Sequence, residues 1–208
     1  MMKSKSISHK LSTLFFAAGF ALILCAGGLL LHNLKESNEA AESVQTISMN
    51  LKIEAPQDEG IVPDYLIDAA RDMPEQEIDG YTYIGKLSIP TLDLDLPVMT
   101  DWSYPQLKIA PCRYQGSAYT DDMIVCAHNY QSHFGKLDNL VPGDEIQFTD
   151  IDGNHFSYFV IEKKYLEKTD VEELRSGDWD LTLFTCTHGG KTRVTIRCEK
   201  TEASDFAE

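Results

Sequence analysis

Basic residues are scarce in this chain of 208: Lys and Arg total 18 against 33 Asp and Glu, a formal net charge of -15. A phosphate backbone is held by Lys and Arg, so the balance argues against nucleic acid as a partner and leaves an acidic exterior that serves solubility. Charge is missing altogether from residues 11–31, LSTLFFAAGFALILCAGGLLL, and acid is missing from residues 1–10, which hold Lys3, Lys5 and Lys10. At about 1.5 Å per residue a helix over that apolar run reaches roughly 30 Å, the depth of a bilayer core. The length and the one-sided charge argue against a buried core helix. No small-x-small cleavage site follows the run, and a secretory signal has a shorter apolar core of about 7–15 residues. A lipoprotein signal would acylate Cys25, but Leu24 stands where a small residue is expected. The expectation is an uncleaved transmembrane anchor at 11–31, a cytoplasmic tail at 1–10 and all that follows outside the cell.

Internal repeats and low-complexity segments are also missing, so the length allows one domain plus appendages. Residues 32–77 read as a stalk and linker with short helices: 33–53 is polar and suited to a helix, Ala55 to Gly60 (APQDEG) is a break, 63–73 has near-helical apolar spacing, and 74–80 is a linker. From there to residue 200 the signals are mostly β. Candidate strands are 83–89, 96–99, 123–128, 145–149, 155–164, 181–186 and 193–199, separated by Pro90, Pro142-Gly143-Asp144 and Asp152-Gly153-Asn154. Short strands at this spacing suggest a closed barrel or a sandwich. Helical exceptions are expected at 104–109, 134–140 and 169–175, the last capped by Thr169 or Asp170 with Glu172 and Glu173 in its first turn. Residues 201–208 are expected to be a flexible tail.

The stretch LTLFTCTHGGKTRVTIRC, 181–198, holds the most chemistry. It reads as a strand ending in Cys186, a tight turn through Gly189-Gly190, and a second strand opening with Arg193. That hairpin returns Arg193 close to Cys186. A nearby cation favours the thiolate, the reactive form of cysteine. A guanidinium offers a fork of donors to the oxyanion formed when a thiolate attacks a carbonyl. The same residues also fit a buried core cysteine beside a solvent arginine. His128 closes the apolar run MIVCAH, a setting in which a histidine is more often structural than reactive.

Thr182-Leu183-Phe184-Thr185-Cys186 resembles the TLxTC signature of sortases, and Arg193 sits where that family carries its arginine. Cys126-Ala127-His128-Asn129 falls where the family carries a Gly-His-Asn-like element, and YIGKLSIPTLDLDLPV resembles its first two strands. The resemblance spans residues 78–200 and implies a mainly β, closed sortase-type β-barrel with a few short helices. It implies a membrane-anchored cysteine transpeptidase with no cofactor and no metal. Cys186 would be the nucleophile, His128 the acid and base, and Arg193 the donor to substrate or oxyanion. Thr185 would support the substrate or oxyanion, and Asn129 would do so too, orient His128 or cap a loop. The partners implied are surface proteins with a C-terminal LPxTG-like or NPxTN-like sorting signal, and an amine acceptor from a cell-wall precursor or a pilin lysine. The helical segment ahead of the barrel and the 169–175 insertion lean towards class B sortases.

The chain departs from the family in Cys126-Ala127, which stands where Ala-Gly is common, and in the short link from Cys186 to Arg193. Cys126 could face away from the site or compete within it. Asp101-Trp102 follows the second strand, away from where pilus sortases carry a lid, and no lid role is carried over. The five cysteines are Cys25, Cys112, Cys126, Cys186 and Cys198; an odd number fits a free reactive thiol, and a Cys112–Cys126 disulfide is conceivable without being fixed by the sequence. Other readings stay open: a peptidase releasing to water, an inert binding barrel, and a zinc module on Cys126-x-His128 and Cys186-x-His188, pairs that lack the usual zinc spacing. Asp150-Ile151-Asp152-Gly153-Asn154 starts like a calcium loop but has no acid at the closing position; it is expected to be a hairpin turn. His133 is expected to hold its loop, and His188 has no assigned role.

Overall fold

The computed structural model describes residues 4–55, 62–187 and 189–201, with the side chains of 4–11 excepted. The break after Ala55, most of the tail and His188 therefore lie outside the described residues. Two units divide the chain, Met1–Asn38 and Glu39–Glu208. The first belongs to helix α1 (Ser4–Asn50), whose apolar side chains between Leu14 and Leu34 stand exposed. By length and composition the helix is apolar enough to cross a membrane.

In the second unit α1 is not the free stalk that the polar sequence suggests. Ala40, Val44 and Ile47 recur on one helical face and are buried. The short helix α2 (Asp64–Ile67) covers less than the expected 63–73. The strands are β1 (Gln76–Ile78), β2 (Tyr81–Ile89), β3 (Leu94–Met99), β4 (Cys112–Gln115), β5 (Met123–Cys126), β6 (Glu145–Asp150), β7 (His155–Glu167), β8 (Leu181–Cys186) and β9 (Thr192–Lys200). Helices α3 (Tyr104–Leu107) and α4 (Val171–Arg175) sit where helices were expected, and the third expected helix is a single 3-10 turn, Leu137–Asn139. Strand order is β1-β2-β3-β4-β5-β8-β9-β7-β6, and β2 also pairs with β6, which closes β2 to β9 into a ring of eight strands with β1 appended.

Closure depends on Gly85. It pairs with Val98 on β3 and Asp150 on β6 at a bulge in β2. Its φ is 152°, and a Cβ there would lie 2.1 Å from the Thr149 carbonyl oxygen, so only glycine fits. Asp150 is buried and accepts hydrogen bonds from the Tyr119 hydroxyl at 2.6 Å, the Asn154 amide at 2.9 Å and Asn154 Nδ2 at 2.8 Å. The expected hairpin turn at 150–154 is thus a turn between β6 and β7 whose first carboxylate is used internally.

The sheet is covered on both sides where β5 and β8 lie. Alternation sends Met123, Val125, Leu181 and Leu183 into the barrel interior with Phe148 and Ile196. It sends Ile124, Cys126 and Phe184 to the outer face, where Ile47, Leu107, Leu166 and Leu174 pack. Burial on both faces makes such strands read as continuous apolar runs, as MIVCA does.

Candidate active site

Strands β5, β8 and β9 are neighbours in the ring. In the antiparallel pair β8–β9, Cys186 lies directly opposite Arg193, so both side chains leave the same face. In the parallel pair β5–β8, Cys126 lies opposite Phe184. Two residues further on each chain stand His128 and Cys186. β5 ends at Cys126 rather than at His128; the Ala127 amide donates to the Phe184 carbonyl at 3.3 Å, the bond that closes the last pair, Cys126 with Phe184. The register therefore sets Cys186 and Arg193 side by side, about 5 Å apart, and His128 follows two residues beyond the end of the strand next to β8.

Thr185 is brought to this level but faces the other way. Neighbours on a strand point to opposite sides, and Val194, opposite Thr185, belongs to the barrel interior. The Thr185 hydroxyl is buried and donates to the Ala127 carbonyl at 2.8 Å. Its hydrogen bond holds the segment leading into His128, and the hydroxyl does not face the side of Cys186.

The loop after His128 is closed by its own backbone. Phe134 donates to the His128 carbonyl at 3.2 Å, and His133 and Gly135 donate to the Tyr130 carbonyl at 3.0 and 2.8 Å. Asn129, half-buried, lies inside this loop. The Tyr130 ring lies 5.1 Å from His128 and 5.4 Å from His133. A Cβ on Gly135 would lie 2.6 Å from the Asn129 carbonyl oxygen and 2.7 Å from that of Tyr130. Gly135→Ala must push this backbone, and with it His128. The expected result is a loss of about 1–3 kcal/mol in stability, read by thermal melting.

Among the described residues the thiols differ sharply. Cys186 is exposed, and Cys112, Cys126 and Cys198 are buried. Burial pushes the Cys112 thiol up to about 12 and drives Cys126 and Cys198 further in the same direction. Cys126 lies on the face of Phe184 and Cys186 but beneath the surface, so its thiol is protonated and shielded rather than a rival nucleophile. The link to Arg193 is as tight as expected: the Thr187 amide donates to the Thr192 carbonyl at 2.9 Å, and Gly189 and Gly190 have positive φ.

Arg193 is half-buried, its Cζ 5.6 Å from the Phe184 ring centre. A second arginine on this face is occupied elsewhere. Arg197 Nη1 donates to the Leu174 carbonyl at 2.9 Å and the Thr182 hydroxyl at 2.8 Å, and Nη2 donates to the Glu173 carbonyl at 2.6 Å. It fastens α4 to the sheet. The aromatic neighbours were not legible beforehand: Tyr114 lies edge-on to Phe184 at 5.4 Å, and Trp102 lies 5.5 Å beyond it. Tyr130 and Tyr114 carry no motif; only their places in the fold bring them near.

Among the described residues no three or more His, Cys, Asp and Glu are disposed to hold a metal ion. The zinc reading also needs His188, which lies outside them.

A family model described as the sortase domain matches residues 87–201. No curated protein matches the chain in sequence. Among solved structures, sortase C1 from Streptococcus agalactiae is 21% identical with a TM-score of 0.55, over 83% of this chain and 91% of that one. Sortase A from Corynebacterium diphtheriae is 18% identical with a TM-score of 0.54, over 88% and 98%. Clostridium perfringens sortase C, solved with the C-terminal cell wall sorting motif, is 23% identical with a TM-score of 0.52, over 81% and 87%. At these identities the shared property is the fold. With more than half of its length matched by the family model and an eight-stranded ring of the same fold, this chain belongs to the sortase family.

Proposed function

We propose that the protein is a membrane-anchored cysteine transpeptidase that cleaves a C-terminal sorting signal and passes the acyl group to an amine. The observation that carries this reading is the exposed Cys186 directly opposite Arg193, beside the strand that leads into His128. The Cys186 thiolate attacks the scissile carbonyl of an LPxTG-like or NPxTN-like motif. Arg193 donates to the tetrahedral oxyanion. His128 as imidazolium protonates the departing amine, and as imidazole it takes a proton from the incoming one. Thr185 serves through its hold on Ala127, a positioning role, and Asn129 through the loop. The acceptor is an amine of a cell-wall precursor or a pilin lysine. The apolar stretch 11–31 anchors the chain, with the N-terminus in the cytoplasm and the barrel outside.

The test uses the purified full chain in detergent micelles, a panel of fluorogenic sorting-signal peptides, and mass spectrometry of the modified thiol. An acyl adduct on Cys186 that moves to an added amine supports the proposal. An adduct released to water, whatever amine is supplied, would identify a peptidase instead. No adduct with any peptide would point to an inert barrel.

A further inference from the structure

We propose that Cys112 and Cys126 are the two halves of a cross-strand disulfide that staples the His128-bearing strand to its neighbour. The two residues are direct partners in the antiparallel ladder of β4 and β5. Opposed residues in such a ladder have Cα atoms about 4.5–5.5 Å apart, inside the disulfide range of about 4.4–6.8 Å. Both side chains lie in the same outer-face cluster, so they leave the sheet on one side.

The other thiols of the barrel do not qualify. Cys198 belongs to the interior cluster, across the sheet from Cys126. Cys186 is two residues beyond Phe184, the partner of Cys126. That diagonal places the Cα atoms roughly 8 Å apart, beyond the limit of about 7 Å for bridging without backbone movement.

The staple falls where the ladder is thin. β4 meets β3 at one position, Met99 with Cys112. Its pairing with β5 is interrupted by a bulge between Arg113 and Gln115. Cys126 is the last residue of β5 and stands two residues before His128. A covalent link there fixes the end of the strand from which the His128 loop departs. It also removes the two buried thiols that share a face with Cys186. In the dithiol form Cys112 Sγ donates a weak hydrogen bond to the Ala110 carbonyl at 3.4 Å, and the bond replaces that contact.

The oxidant is a low-molecular-weight disulfide. One protein thiolate attacks it, breaking its S–S bond and releasing one small thiol. The second protein thiolate attacks the mixed disulfide and releases the other. The two cysteines lose two protons and two electrons, and the reagent is reduced to two thiols. Burial holds both thiols protonated, so exchange belongs to folding or to transient opening. The geometry is independent of the proposed activity; only the oxidising compartment rests on the barrel lying outside the cell.

The test takes the full chain in detergent micelles, exposes it to a glutathione redox buffer at sub-denaturing urea, blocks free thiols with iodoacetamide under denaturing conditions and digests it with trypsin. Cleavage after Lys108, Arg113 and Lys136 separates Cys112 and Cys126 into peptides 109–113 and 114–136. The expected product is these two joined, and separated again by reductant. The oxidised protein should melt roughly 5–10 °C above the reduced one, a gap that closes in Cys112→Ala. Alkylation of both peptides, or a link from 114–136 to the Cys186 peptide 176–191, overturns the proposal. Peptide adduct formation at Cys186 is measured on the same oxidised sample. The link without the adduct would sink the transpeptidase reading alone; the adduct without the link would sink the staple alone.

Discussion

Cys186→Ala is expected to abolish the acyl adduct and to lower peptide cleavage by at least about 10⁴-fold, the scale on which loss of a nucleophile is felt. Stability should hold to within about 0.5 kcal/mol, as for other exposed positions, because Cys186 is exposed at the end of β8. No neighbour can take over. Cys126 shares the face but is buried, and burial keeps its thiol protonated. Residual adduct in Cys186→Ala, mapped by mass spectrometry to Cys126, would reverse the assignment of the two thiols. Arg193 gives a graded companion. Arg193→Ala should cost about 10²–10³-fold in acylation, as for removal of one oxyanion donor. Arg193→Lys should recover only part of it, since an ammonium restores the charge without the planar fork. Equal effects of Lys and Ala would mean that the donor geometry, rather than the charge, carries the whole contribution.

The pairing behind that prediction was legible early because a short hairpin leaves few ways to return a strand. Six residues separate Cys186 from Arg193, and the Gly-Gly turn fixes the register that the strands then show. His128 was different. Its place came from the family resemblance, and the physical reason emerges only when β5 is found parallel to β8, a pairing between segments far apart in sequence. The orientation of Thr185 follows from strand alternation alone once Cys186 is set outward, whereas the family resemblance implies a place on the substrate side. The two strands that went unread, β1 and β4, have three and four residues. Such lengths give no period-2 signal, and β4 is further broken by its bulge. The expected helix over 33–53 is present as the end of α1, and its packing has another cause. Ala40, Val44 and Ile47 are too few to form an evident apolar stripe, and they matter only because the barrel offers a surface to cover them.

His133 carries the second large effect, on stability rather than rate. It is fully buried, neither ring nitrogen has a hydrogen-bond partner, and the backbone of Ile109 and Ala40 lies close without bonding to it in normal geometry. Burial first, and the neighbouring His128 second, pull its pKa down to about 4. In the unfolded chain the same ring titrates near 6.5. Between these values the unfolded state binds a proton that the folded state refuses, so stability must rise with pH across the window. The contribution is complete above about pH 6.5, is lost as the pH falls, and levels off below about pH 4, a span worth roughly 3 kcal/mol. Urea unfolding of the wild type and of His133→Phe at closely spaced pH values isolates this group from the carboxylates, which both proteins share. The wild type should lose more stability than the variant between pH 6.5 and 4; parallel curves would show that His133 is not held neutral. The same burial bears on the proposed chemistry. A charged ring at 133 would stand one aromatic side chain away from His128, since Tyr130 lies 5.1 Å from one and 5.4 Å from the other. Two like charges so placed disfavour each other. Keeping His133 neutral leaves His128 as the imidazole of the pair that can carry the proton exchanged with the amines.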